Sequence, residues 1–326
     1  MKKINILILS AGRRVELINC FKESAKKVGV ESRIIAGDLS ELAPAVYFSD
    51  EKYLIPRIGT ENYIEKIIEI CNLEDIALII PTIDTELIVL SENKKLIEEK
   101  TNAKVLVSDK SSIDICRDKK KTNKFFEENG IGCAKEITEE DMREENYKFP
   151  LFIKPLDGSS SINTFKVKNK DELDFFLRYI DKPIVQEFIQ GDEYTIDVFL
   201  DFESNPIAIL PRVRLATRSG EILKGKVVKD EEIISEVKKI LKNLKFIGHI
   251  TIQCMKTING IKFIEINPRF GGGAPIGIKA GVDSPYFLYK LLNNEKLEPV
   301  NEFIEDLIAL RFDNAIFLKN GEVIND

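Results

Sequence analysis

Residues 248–273 read GHITIQCMKTINGIKFIEINPRFGGG. An apolar run, a Thr-Ile-Asn-Gly turn and a second apolar run predict an antiparallel hairpin, because Asn and Gly accept the backbone conformations of a tight turn. Pairing of the two runs brings Gln253, Glu265 and Asn267 together, and the two-residue spacing of Glu265 and Asn267 sets both on one face. Carboxylate and amide oxygens of this kind suit Mg2+, a hard ion that takes one or two carboxylates and completes its shell with water and substrate phosphates. Arg269 closes the Glu-x-Asn-Pro-Arg segment as a cation outside the metal set. Gly271, Gly272 and Gly273 then lead into a helix whose first amides are candidates to receive an anion.

Working outward, strands dominate from Gly130 onward: YKFPLFIKP, NTFKVKN, KPIVQEFI, EYTIDVFLD, NPIAILPRVRLAT and GEILKGKVV, with helices at KDELDFFLRYI and DEEIISEVKKILKNL. This part is α+β. Residues 1–112 follow a different rule, alternating short apolar runs (INILIL, SRIIAG, IALIIPT, KVLVS) with amphipathic stretches. That order predicts a Rossmann-like α/β domain, a parallel sheet with helices on both faces. The alternation stops between 110 and 117, and the helical KKKTNKFFEENG closes at Gly130. The domains read from the chain are therefore 1–112 and 113–326.

Four further blocks carry chemistry. Lys119 opens a lysine-rich helix, a pattern that is also an ordinary solvated face. Lys154 ends an apolar strand and precedes Asp157-Gly158-Ser159-Ser160-Ser161, a hydroxyl-rich turn able to point amides at phosphate oxygens. Glu187-Phe188-Ile189 ends a strand and is followed by Glu193 across a turn, two carboxylates in a strand-turn-strand that are otherwise ordinary surface decoration. Arg212, Arg214, Arg218 and Lys226 lie on two strands around a turn, either as cross-strand surface charge or as an electropositive wall for a carboxylate and an acyl phosphate.

Together these blocks resemble the ATP-grasp superfamily, and the whole chain is similar to its single-unit members that correspond to half of a carbamoyl-phosphate synthase large subunit. The resemblance implies a pre-ATP-grasp domain over 1–112 and an ATP-grasp fold over 113–326, with a small lid subdomain at about 117–185 and a larger catalytic subdomain at about 186–326. It implies ATP and Mg2+ as cofactors, with Mn2+ as an alternative. Lys119 and Lys154 would reach the phosphates under a lid carrying Ser159 and Ser160. Glu187, Phe188 and Ile189 would hold adenine, and Glu193 the ribose. Gln253, Glu265 and Asn267 would hold the metal, and Arg269, Lys154 and Arg214 would be catalytic. The lid has fewer glycines than in many relatives, and Gly271–Gly273 stand where the synthase carries further polar and basic residues, so the acceptor substrate need not be the same.

Composition narrows the alternatives. The 326 residues have a formal charge of −6 with no clustered basic run, which argues against a nucleic-acid surface. Five dispersed cysteines without a C-x-x-C pair read as reduced core filler. Neither a signal peptide nor a spanning helix is read, so a cytoplasmic protein off the membrane is expected, with a homodimer among the assemblies open to it. His249 is the sole histidine and reads as a half-buried strand residue, so the chemistry must rest on carboxylates, lysines, arginines and amides. Residues 10–14, SAGRR, imitate a dinucleotide turn, but one glycine stands where that fingerprint needs three, and Asp38 is thereby an unconvincing ribose ligand. Gly12, Arg13 and Arg14 are read instead as an anion contact on the acceptor side.

The expected function is a Mg-ATP-dependent ligase that activates a small-molecule carboxylate as an acyl phosphate for attack by an amine, acting on an amino acid or a related small acid. A carboxylate kinase or carboxylate-thiol ligase shares the first half-reaction. A nicotinamide-binding module and a silent nucleotide-binding subunit fit less well, since the glycine fingerprint is missing and the metal ligands are present.

Overall fold

Burial alternates in destination along β1 (Asn5–Leu9). Ile6 and Ile8 pack with Leu17 and Phe21, whereas Leu7 and Leu9 pack with Ile35, Tyr63 and Ile67. A strand buried on both faces belongs in a parallel sheet covered by helices above and below. The computed structural model, which describes residues 2–156 and 162–324, shows that arrangement. After β1 come α1 (Val15–Val28), β2 (Ile34–Asp38), β3 (Glu51–Leu54), α2 (Tyr63–Leu73), β4 (Ile76–Pro81), α3 (Asp84–Lys100) and β5 (Lys104–Val105). The parallel sheet has the order β3-β2-β1-β4-β5, so its direction of growth reverses between β1 and β4. Sheets of this type open a ligand crevice at that point, beyond the carboxyl ends of the strands.

The SAGRR turn lies in that crevice. Asp38 does not face outward as a ribose ligand would; its carboxylate accepts the amides of Gly12 (2.8 Å) and Ser40 (2.9 Å), holding the turn closed. Beneath it Glu86, 1% exposed, accepts from the hydroxyls of Ser10 (2.6 Å) and Tyr63 (3.0 Å). Burial pushes the Glu86 carboxyl up to about 7, against the opposing pull of those hydroxyls. A group that binds its proton more tightly when folded contributes stability that is full below its ordinary 4.5 and lost as pH rises through 7. Glu86→Gln is therefore expected to remove this slope, so that wild type loses up to about 3 kcal/mol relative to the variant across that window. Denaturant unfolding of both at several pH values checks this; parallel stability profiles would contradict it.

The second part begins with α4 (Lys110–Arg117) and α5 (Lys119–Glu128), where the Asp118 side chain caps α5 by accepting from the amides of Lys120 and Lys121 and Gly130 ends it at φ +64°. Next come α6 (Glu139–Arg143), β6 (Leu151–Pro155), β7 (Phe165–Val167), α7 (Lys170–Tyr179) and β8 (Pro183–Glu187), which make a small antiparallel sheet of order β7-β6-β8. The larger sheet comprises β9 (Asp192–Leu200), β10 (Pro206–Arg218), β11 (Glu221–Val227), then, after α8 (Glu231–Asn243), β12 (Gly248–Thr257) and β13 (Gly260–Asn267). Beyond these lie α9 (Ala274–Ala280), α10 (Ser284–Leu292) and β14 (Ile308–Leu310), and the sheet order is β13-β12-β9-β10-β11-β14.

One face of the large sheet packs on α8 through Ile233, Val237 and Ile240. The other shares a core with the parallel-sheet domain, in which Phe199, Phe270 and Leu288 meet Phe21 and Ile18. His249 belongs to this second interface and is 2% exposed, not half-buried. Its ring stacks on Phe270 at 4.5 Å, its Nδ1 pairs with the Ser284 hydroxyl at 2.8 Å, and its Nε2 lies 3.6 Å from Asp197. Polar partners on β9 and α10 let the ring sit in the core. Four of the five cysteines are buried free thiols and Cys116 is half-buried. No helix among the described residues is long and apolar enough to cross a membrane.

Candidate active site

The large sheet lays out its polar side chains in rows. Glu193 of β9 pairs with Met255 of β12; Thr195 lies between Arg212 and Gln253; Gln253 faces Glu265; Asp197 faces Thr251, which in turn faces Asn267. Side chains two residues apart share a face, so these rows, apart from the fully buried Asp197, form the floor of one cavity. That cavity, of about 420 Å³, is closed on its other side by Lys154 of β6, Lys119 of α5 and the strap Glu187-Phe188-Ile189.

At its centre Glu265 Oε1 accepts from both Gln253 Nε2 and Asn267 Nδ2 at 2.7 Å. The hairpin thus gathers the three residues as its sequence implied. Arg269 donates to Asp84 Oδ2 at 2.6 Å and more weakly to Asn267 Oδ1 at 3.3 Å. Asp84, the first residue of α3, belongs to none of the sequence blocks that carry chemistry. A signal for it exists all the same, as a carboxylate just past the carboxyl end of β4 at the crevice. Through it the first domain orients an arginine of the second.

Lys154 is 8% exposed, and burial is the main force pulling its ammonium down to about 8; Lys119 repels it and Glu265 partly restores it. A bound phosphate would restore it further. Lys119 donates to the Leu156 carbonyl at 2.8 Å, which ties the start of α5 to the end of β6. Glu187 accepts the Lys135 amide at 3.0 Å, and Lys166 lies 3.9 Å from the Phe188 ring centroid. Glu193 pairs with Arg214 at 2.5 Å, and Arg214 reaches Gln253 Oε1 at 3.2 Å and the Gly220 carbonyl at 2.6 Å. Burial raises the Glu193 carboxyl above its ordinary value despite Arg214, with Glu265 adding repulsion. Ser159 and Ser160 lie outside the described residues.

The electropositive wall does not form. Arg212 is buried and bidentate to Asp197, at 2.8 and 3.2 Å. A register shift beyond Arg214 separates Arg218 from this row; Arg218 pairs with Asp313 at 2.5 Å, and Lys226 with Asp306 at 2.7 Å. Only Arg212 and Arg214 of the four line the cavity. In SAGRR, Arg13 points to solvent with Asp313 3.7 Å away, whereas Arg14 lines the cavity. Nor is the start of α9 an anion site, because the Ala274 and Ile276 amides donate to the Gly271 and Gly273 carbonyls and Pro275 has none.

The glycine run has a steric reason instead. A Cβ on Gly273 would stand 2.7 to 2.9 Å from three atoms of the Arg212 guanidinium, which Asp197 prevents from moving aside. Gly273→Ala is expected to cost about 1–3 kcal/mol as an overpacking defect. A thermal melt tests this, and an unchanged midpoint would contradict it.

Residues 116–273 match the family model described as ATP-grasp domain, and residues 6–106 match that described as PylC-like, N-terminal domain. The chain carries an ATP-grasp domain. The small antiparallel sheet and all of the large one except β14 fall within that match, and a PylC-like N-terminal domain precedes it. The chain is 34% identical over 98 residues to D-alanine–D-alanine ligase B of Clostridium perfringens, covering 27% of this chain and 32% of the ligase. It is 29% identical over 200 residues to the carbamoyl phosphate synthase large chain of Caldanaerobacter subterraneus subsp. tengcongensis, covering 56% of this chain and 19% of the synthase. The matches thus span a third or less of these relatives. Among solved structures, the biotin carboxylase domain of Hydrogenobacter thermophilus 2-oxoglutarate carboxylase, in complex with MgADP and bicarbonate, superposes with a TM-score of 0.73 at 18% identity, covering 93% of this chain and 73% of that one. N5-carboxyaminoimidazole synthetase from Staphylococcus aureus, complexed with ADP, gives 0.73 at 18% identity, covering 94% and 81%. At these identities the likeness establishes the fold of the ATP-grasp domain and its neighbour.

Proposed function

We propose that this ATP-grasp protein is a Mg-ATP-dependent, ADP-forming ligase that joins a small-molecule carboxylate to an amine. The observation that carries the reading is the convergence on one cavity of Gln253, Glu265 and Asn267 from the β12–β13 hairpin, Lys154 from β6 and Arg269 oriented by Asp84. The ADP complexes of two structural neighbours support nucleotide binding by a chain of this fold.

The donor set fits Mg2+ in kind, a carboxylate and two amide oxygens being hard ligands. Gln253, Glu265 and Asn267 would hold the ion once the two amides, whose nitrogens donate to Glu265 while their oxygens accept from Arg214 and Arg269, turn over. When bound, the ion neutralises charge on the terminal phosphates. The chain's own residues do the rest. Lys119 and Lys154 hold phosphate oxygens, Glu187-Phe188-Ile189 line the adenine end, and Glu193 accepts from the ribose diol once Arg214 shifts toward the phosphates. A substrate carboxylate oxygen then attacks the γ-phosphorus, the bond from that phosphorus to the β–γ bridging oxygen breaks, and ADP leaves. The amine nitrogen next attacks the acyl carbon, the carbon–oxygen bond to phosphate breaks, and inorganic phosphate departs with the electron pair. An amine that arrives as ammonium first gives one proton to solvent; the neutral amine then gives one proton to phosphate, and a primary amine keeps its last proton on the amide nitrogen. Positioning and charge neutralisation suffice for such phosphoryl transfer, so the absence of a histidine from the cavity is no obstacle.

An ADP-release screen with Mg-ATP against paired small acids and amines, followed by mass identification of the product, tests the reading. ADP formation that requires an acid, with an amide product, is the expected result. ADP formation indifferent to every acid and amine would overturn it.

A further inference from the structure

The part of the cavity beside the glycine run is built by three segments remote in sequence. A Cβ on Gly271 would lie 3.2 Å from Thr251 Cγ2, which puts the glycine run beside the Thr251–Asp197 row. Along β9 that row is four residues from Glu193, or roughly 13 Å at the rise of a strand. Here the SAGRR turn brings in Arg14 and the tip of the β10–β11 hairpin brings in Glu221, with Arg14 Nη1 3.3 Å from Glu221 Oε1. Both line the cavity. Gly272 passes directly against them, since a Cβ there would stand 2.9 Å from Arg14 Nη1 and 3.3 Å from Glu221 Oε1.

This pair is not a saturated ion pair. Arg14 meets Glu221 through a single contact, Glu221 has a second and longer contact at 3.5 Å with Arg311, and Arg14 Nε is buried with no hydrogen-bond partner among the described residues. Burial pulls the Arg14 guanidinium down, with Arg269 adding repulsion that Glu221 opposes. Burial works to raise the Glu221 carboxyl, but Arg14 and Arg311 overcome it and keep the group a carboxylate at neutral pH. A cation and an anion therefore stand side by side at the acceptor end. A ligand of one sign would meet one of them as a like charge; a ligand with both signs satisfies both.

We propose that Arg14 and Glu221 form the subsite for the amine substrate, and that this substrate is an amino acid whose carboxylate is read by Arg14 and whose ammonium is read by Glu221. The proposal rests on the ligase reading, but its failure is separable from failure of that reading. Gly272 has the role of leaving room for the ligand against the pair. The ligand's two charged groups bridge Arg14 and Glu221, and the glycine run keeps side chains out of the space above Thr251.

The test uses the full chain with Mg-ADP and measures binding of individual proteinogenic amino acids, their carboxamides, which lack the carboxylate, and the matching 2-oxo acids, which lack the ammonium. At least one amino acid is expected to bind, with its carboxamide and its oxo acid each weaker by about 10-fold or more, the scale of a lost charge-assisted hydrogen bond. Arg14→Met and Glu221→Gln should each weaken the amino acid to a similar extent while leaving Mg-ADP affinity and the ligand-free melting midpoint in place. The exchange variant, Arg14→Glu with Glu221→Arg, re-forms the ion pair between the two domains. It should not restore binding if the pair reads substrate, and it should if the pair only joins the domains. Restored binding, undiminished binding in the single variants, or no binding by any amino acid would overturn the proposal. If ADP release then proceeds with amines lacking a carboxylate, the ligase reading stands alone; if it proceeds with no acid or amine, that reading falls as well.

Discussion

Replacing Glu265 by glutamine is expected to lower Mg-ATP turnover by at least about 100-fold, the scale on which loss of one preorganised electrostatic contact slows an enzyme. Glu265 is the one carboxylate in its donor set, and it also supports the charge of the buried Lys154 ammonium. Glutamine has the same shape and can still meet Gln253 and Asn267, so the hairpin keeps its packing. The expected pattern is therefore lost ADP release with a thermal midpoint close to wild type. Unchanged turnover would refute the metal assignment.

A larger effect on stability is expected at Asp197. Its carboxylate is fully buried, takes two hydrogen bonds from Arg212 and lies 3.6 Å from His249 Nε2. Removing one partner of a buried ion pair leaves the other charge uncompensated, so Asp197→Ala should cost about 3–5 kcal/mol. Pairing Asp197→Leu with Arg212→Met should recover most of that loss, because similar volumes then fill the space without a buried charge. Urea unfolding of both variants measures this. A single variant as stable as wild type would show that Asp197 is not the partner that allows Arg212 to be buried. The position also matters for Gly277, where a Cβ would meet Asp197 Oδ2 at 2.6 Å. The acid therefore sets how closely α9 approaches β9.

The features legible in the sequence are those governed by short-range periodicity. Alternating apolar runs up to Val105 announce the parallel sheet, and the Thr-Ile-Asn-Gly turn announces the β12–β13 hairpin, though not the register shift between Gln253 and Cys254 that sets Gln253 opposite Glu265. The features that escape are partnerships between distant strands. Arg212 looks like one of four surface cations because its partner Asp197 is hidden within the apolar EYTIDVF, on the neighbouring strand. His249 looks half-exposed because Ser284, which satisfies its ring, lies on α10, far along the chain from the apolar run that carries the histidine. Asp84 and Glu221 each resemble an ordinary helix-start or turn residue, and only the packing of the two domains turns them toward Arg269 and Arg14. Such pairings depend on which strands become neighbours, and no local period encodes that.

The central claim is that the cavity makes an acyl phosphate from ATP and a carboxylate. It is tested most directly by supplying Mg-ATP, an amine mixture and small acids labelled with 18O in their carboxyl groups, and weighing the inorganic phosphate released. Attack by a carboxylate oxygen on the γ-phosphorus predicts that each phosphate carries one 18O from the acid. Phosphate formed alongside ADP without the label would contradict the account.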